Sequence, residues 1–141
     1  MNFEKLLAEG KIHTFRATPE EIKNTFKLAE RDLKTAEKNL PGDSDWAFSI
    51  TYNAILQASR AFMFNSGYRP ASFEAHKTIL QFMKLALGQP FEETISYFDR
   101  KRKKRHTAVY GQVGIVSEKE AHEFLKIAKN YVTEIRTRLK L

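Results

Sequence analysis

The sequence predicts an all-α protein: an antiparallel, up-and-down helix bundle of four to five long helices with a short N-terminal helix, in one domain spanning residues 1–141. Three observations predict it. Apolar residues recur at helical spacing through every long segment. Six glycines and four prolines in 141 residues fall where helix ends are expected and leave long uninterrupted stretches between them. No Val/Ile/Thr-rich alternating segment competes, residues 113–116 being too short to do so.

The elements follow in order. Residues 3–9 place Phe3, Leu6 and Leu7 on one side of a short helix closed by Gly10. Thr18-Pro19-Glu20-Glu21 then opens a second helix, with Thr18 as cap, Pro19 in the first turn and Glu21 completing a capping box. Its apolar stripe is Ile22, Phe26, Ala29, Leu33, Ala36 and Leu40, and Pro41-Gly42 ends it. A third helix runs from about residue 43 to residue 65 or 66. It carries Trp46, Ile50, Ala54, Ala58 and Ala61 on one face, and Phe48, Tyr52, Ile55, Leu56 and Met63 broaden its apolar surface. A helix apolar on most sides is central, and its small residues allow a neighbour to approach closely. After a loop at residues 67–70, a fourth helix over residues 72–87 carries Phe73, His76, Ile79, Leu80, Met83 and Leu87. The fifth begins at Phe91, and the sixth opens at Ser117-Glu118-Lys119-Glu120, which reads as a second capping box.

Composition narrows the function. The chain has 24 Lys and Arg against 17 Asp and Glu, and six of those cations are consecutive, Arg100-Lys101-Arg102-Lys103-Lys104-Arg105; without them 18 cations face 17 acids. The basicity is therefore one local patch, the footprint of an anionic partner such as phosphate. There is no cysteine, which excludes disulfides, thiolate metal sites and a thiol nucleophile and fits a reducing compartment. The N-terminal residues have no apolar signal core and no stretch approaches the ~20 apolar residues of a membrane span, so the expected location is the cytoplasm, with no membrane partner.

Helical phase divides the basic run. Phe91, Ile95 and Phe98 set the inward face of the fifth helix; at about 100° per residue its continuation puts Arg102 at the centre, Arg105 and His106 on the flanks and Val109 back at the centre. Arg100 and Lys104 fall on the solvent side, and Lys101 and Lys103 also read as solvated. Burying a guanidinium unpaired costs several kcal/mol, so Arg102 and Arg105 imply a groove, an interface or an ion pair with an acid.

Taken together, Trp46-Ala47, Tyr52-Asn53-Ala54, Ala58-Ser59-Arg60-Ala61, Gly67-Tyr68-Arg69-Pro70, His76-Lys77 and Arg105-His106-Thr107-Ala108-Val109-Tyr110-Gly111 resemble, in order and spacing, HEPN domains. The likeness is to the small prokaryotic type encoded beside minimal nucleotidyltransferases, and covers roughly residue 18 to the C-terminus. It implies a homodimer that binds RNA or nucleotide and, in many members, a metal-independent ribonuclease or toxin. The composite site of such a dimer uses an Arg, a polar residue and a His four to six positions on. Arg105 matches the arginine and His106 the polar residue, while Tyr110 stands where the histidine would be. Arg100 with His106 satisfies the spacing in a second register but lies about 120° apart around the helix; Arg102 with His106 points together at a shorter spacing.

Metal-independent RNA cleavage needs a base for the ribose 2′-hydroxyl and cations for the developing phosphate charge. His106 is the histidine in a cationic setting, where neighbouring charges favour its neutral, base-competent form. Arg102 and Arg105 offer planar forks for phosphate, with Arg100 and Lys103 beside them, and Tyr97 and Tyr110 are placed to contact bases. A tyrosine can orient or stack, yet with a reference pKa near ~10 it is a poor general base. The expected reading is thus an RNA- or nucleotide-phosphate-binding protein, with ribonuclease activity in a toxin–antitoxin pair as its enzymatic form. The alternative is a catalytically inactive partner of a minimal nucleotidyltransferase. No cofactor or metal is expected: His122 with Glu118 makes only two ligands. His76 reads as a core or interface histidine and His13 as a loop residue. Asn53 and Gln57 are placed to hydrogen-bond across a dimer or as buried amides.

Overall fold

A computed structural model of the chain describes residues 3–72 and 75–141. Its elements are α1 (Glu4–Ala8), β1 (Ile12–Thr14), α2 (Pro19–Asn39), α3 (Ser44–Asn65), β2 (Tyr68–Pro70), α4 (His76–Leu87), α5 (Glu92–Tyr110) and α6 (Glu118–Leu139), with one 3-10 turn, Gln89–Phe91, before α5. The fold is the expected helical bundle. No helix among the described residues is long and apolar enough to cross a membrane.

Chain punctuation acts where the residue chemistry demands. Thr18 accepts from the Glu21 N–H while the Glu21 carboxylate accepts from the Thr18 N–H, a complete capping box at α2. Thr18→Ala removes one half of that exchange and should lower stability by about 1 kcal/mol in urea denaturation. At α6 the box is incomplete. Ser117 accepts from the Glu120 N–H, but the Glu120 carboxylate turns to Lys101 and Lys104 on α5, because two ammonium groups compete better for it than one backbone N–H.

α3 is the central helix, packed against α2, α4, α5 and α6. Phe48, Tyr52, Ile55, Leu56 and Met63 are buried along it, and fully buried Ala54, Ala58 and Ala61 let its neighbours approach. Around it lie Phe26 and Ala29 of α2, Phe82 and Met83 of α4, Ile95 and Phe98 of α5, and Phe124, Tyr131 and Ile135 of α6. Within this core the Ser59 and Tyr131 hydroxyls share a hydrogen bond of 2.7 Å.

Three local expectations change, and one open alternative closes. β1 and β2 form a small antiparallel sheet, Ile12↔Pro70, His13↔Arg69 and Thr14↔Tyr68, in segments read as loops. Three residues per strand give too short an alternation to recognise. α4 begins at His76 rather than at residue 72, and Phe73 lies outside the described residues. Trp46, read as part of the apolar face, is 53 % exposed beside the Asp43 cap. Asn53 donates to Asp32 Oδ2 at 2.8 Å within the same chain, and Asp32 also accepts from Arg31, so this amide is satisfied without a second subunit.

Candidate nucleic-acid interface

The first half of α5 anchors the second. Ile95 and Phe98 are buried, and from there the inward line continues through Arg102, Arg105 and Ala108, all part-buried. Steps of three residues turn the contact line back by about 60° each time relative to a fixed face. This is why the phase argument failed at the helix end. His106 and Val109, expected inward, face solvent, and Tyr110 is 71 % exposed. The His106 and Tyr110 rings pair on that outer side with centroids 5.0 Å apart. Within one chain His106 therefore does not share a face with Arg102 and Arg105.

The six cations have different fates. Lys101 and Lys104 both bind Glu120, at 2.9 and 2.5 Å, which corrects the expectation that they are simply solvated. Burial pushes the Glu120 carboxyl up, but the hydrogen bonds and charges of Lys104 and Lys101 outweigh burial and hold it below its ordinary value. Arg102 pairs with Asp99 at 2.9 Å, an acid on its own helix rather than on a neighbour. Arg100, Lys103 and Arg105 have no ion pair among the described residues. Of these, Arg100 is exposed with its guanidinium 5.9 Å from the Tyr97 ring, Lys103 is exposed, and Arg105 leans inward over Tyr52 at 5.6 Å.

Tyr97 is itself part of this surface. Lys101 lies 4.9 Å from its ring, and burial, with Glu123 and Glu120 adding to it, pushes its phenol up to about 12, so it stays a neutral stacking and donating group. A cleft between α5 and α6, lined by Phe91, Thr94, Tyr97, Arg100 and Asn130, extends from there.

Behind Arg105 lies a cluster that the sequence did not assemble. Tyr52 of α3 and His76 of α4 are in ring contact at 5.7 Å. Burial holds the Tyr52 phenol well above its ordinary range, against the lowering fields of Arg102, Arg105 and Arg60. Burial first, then Arg105, Arg60 and Arg102, depresses His76 to about 4, so at neutral pH its imidazole is uncharged. The readable signal was a tyrosine and an arginine inside an otherwise apolar helix. Their meeting with α4 and α5 depends on tertiary packing.

Elsewhere, His122 and Glu118 are exposed and 3.9 Å apart, and no group of three His, Cys, Asp or Glu side chains able to hold a metal ion occurs among the described residues.

A family model described as HEPN domain matches residues 22–138, which includes all of α3, α4 and α5 and nearly all of α2 and α6. No curated protein matches the chain.

Proposed function

Since this chain belongs to the HEPN family, whose domains serve nucleotide- and RNA-related functions, we propose that it binds RNA through the exposed side of α5. The observation that carries this is the incomplete neutralisation of the basic run: Lys101, Arg102 and Lys104 have carboxylate partners, while Arg100, Lys103 and Arg105 have none among the described residues. Those three would hold phosphates, and the His106–Tyr110 pair and Tyr97 offer aromatic faces for bases along the same helix. Arg100→Ala with Lys103→Ala should weaken binding of a single-stranded RNA about tenfold at low salt. The double variant should also flatten the dependence of log affinity on log salt by ~0.7 per lost contact. Unchanged affinity in that double variant would refute the reading.

Cleavage is the enzymatic form of the same proposal. His106 is exposed, so a second subunit can bring its arginines to it in a homodimer, His106 serving as base, Arg105 as phosphate clamp and Tyr110 as orienting group. Labelled RNA incubated in EDTA should then be cut by the wild type and spared by His106→Ala. A second reading, a catalytically inactive partner of a minimal nucleotidyltransferase, rests on Tyr110, which stands where the family's histidine is expected when Arg105 is matched to the family's arginine. RNA binding with no cleavage, together with co-purification of a nucleotidyltransferase, selects it.

A further inference from the structure

Three helices bring the Tyr52 hydroxyl, the Arg105 guanidinium and the His76 imidazole together. The Tyr52 hydroxyl is buried and has no hydrogen-bond partner among the described residues, and neither has the buried Nε of Arg105. The Arg105 guanidinium is 5.6 Å from the Tyr52 ring, and the His76 ring is 5.7 Å from it. Arg102 and Arg60 add positive potential at the phenol, and Asp99, the carboxylate whose field reaches it, is engaged by Arg102. Buried donors without acceptors are costly and rare. Here the surroundings specify what would complete them: an anionic oxygen, not another donor and not a cation.

Resting on the reading of α5 as an RNA-binding helix, we propose that Tyr52, Arg105 and His76 form an inner subsite for a terminal phosphoryl group, carried by an RNA end or by a free nucleotide. A terminal group fits better than a backbone phosphate. Tyr52 is fully buried on α3, with the Arg105 guanidinium of α5 over its ring and the His76 ring of α4 beside it, both of those residues part-buried. An internal diester would have to lead chain both in and out past those two side chains to reach the buried hydroxyl, whereas a monoester brings in one end, with extra charge and acceptor oxygens. The Tyr52 O–H and the Arg105 Nε–H donate to the phosphoryl oxygens, and neutral His76 adds a further donor or accepts from a protonated oxygen.

The test compares one RNA decamer bearing a 5′-phosphate, a 3′-phosphate or hydroxyl ends, with AMP and inorganic phosphate as competitors at constant ionic strength. Wild type, Tyr52→Phe, Arg105→Gln and Lys103→Ala are measured, folding being checked by circular dichroism. The expected result is an about tenfold preference for a phosphorylated end, lost in Tyr52→Phe and Arg105→Gln. Competition by AMP identifies the nucleotide as source, and its absence identifies the RNA end. Should Tyr52→Phe fail to fold, Arg105→Gln decides alone. Equal affinity for all three RNAs with no effect of AMP or phosphate, or a preference that persists in the folded variants, overturns the subsite. Lys103→Ala separates the two proposals: if it weakens all RNAs equally, the outer surface stands even where the inner subsite falls.

Discussion

Phe98→Ala should lower the free energy of unfolding by about 3–5 kcal/mol, measured by urea denaturation at neutral pH. Phe98 is fully buried and meets Tyr131 edge-on at 4.9 Å and Phe124 at 6.3 Å, so truncation leaves a cavity walled by rings from α6 that cannot collapse without moving that helix. This is a large share of the roughly 5–15 kcal/mol that holds a domain together. If α5 binds RNA as proposed, the same substitution should weaken that binding although Phe98 lies in the core. It is the last fully buried anchor before Asp99, and the bearing of every cation beyond it depends on where that anchor seats α5. Tyr110→Ala, by contrast, removes an exposed ring and should change stability by no more than ~0.5 kcal/mol. The pair of variants therefore separates a residue that places the interface from one that is only part of it.

The bundle was legible because its signals are local. Thr18 and Ser117 as caps and the stripe of α2 depend on residues within a few turns of one another, and each forms where the pattern puts it. The site was less legible because its determinants are not local. Helical phase placed Arg102 and Arg105 inward correctly, but the contact line turns back in steps of three residues, which leaves His106, the residue after Arg105, and Val109, about one turn beyond it, on the solvent side. Similarly, Glu120 fits a capping box in sequence, and only the packing of α6 against the basic run reveals Lys101 and Lys104 as its stronger partners. Asp32 shows the same limit: three residues after Ala29 and four before Ala36, it occupies a position in the apolar stripe, and its burial is tolerated because Asn53 and Arg31 satisfy it.

These partnerships change the meaning of the charge run. Glu120 draws Lys101 and Lys104 toward α6, tying the two helices together, while Asp99 holds Arg102 beside its own helix. The other three have no carboxylate partner among the described residues: Arg100 and Lys103 are exposed, and Arg105 leans inward over Tyr52. Six adjacent cations of one sign would repel one another; carboxylates on three of them, Lys101, Arg102 and Lys104, relieve that repulsion while Arg100 and Lys103 keep the exposed side positive.

Acidification tests the inner side of that arrangement. His76 is depressed to about 4 against an ordinary 6.5, chiefly by burial and then by Arg105, Arg60 and Arg102. Between those values the unfolded chain binds a proton that the folded chain refuses, so stability rises with pH across the window. The contribution is fully present above about 6.5 and is lost as pH falls through about 4. Because the ring is only half-buried, solvent screening reduces the effect to on the order of 1–2 kcal/mol. Urea midpoints measured from pH 7 down to pH 4 should therefore fall, and His76→Gln, which cannot take up the proton, should flatten the decline. Glu120, held below its ordinary 4.5, loses its contribution only at the acid end of this range and below, so it cannot imitate a fall that begins above pH 6. An unchanged decline in His76→Gln would remove His76 from the cationic cluster as an energetic participant. If a phosphoryl group does occupy the subsite, its charge must favour His76 protonation, and by linkage proton uptake at His76 favours its binding, against the charge the phosphate loses on taking up its own second proton near pH ~6. AMP or inorganic phosphate should then flatten the same acid limb in the wild type and leave that of Tyr52→Phe unaltered.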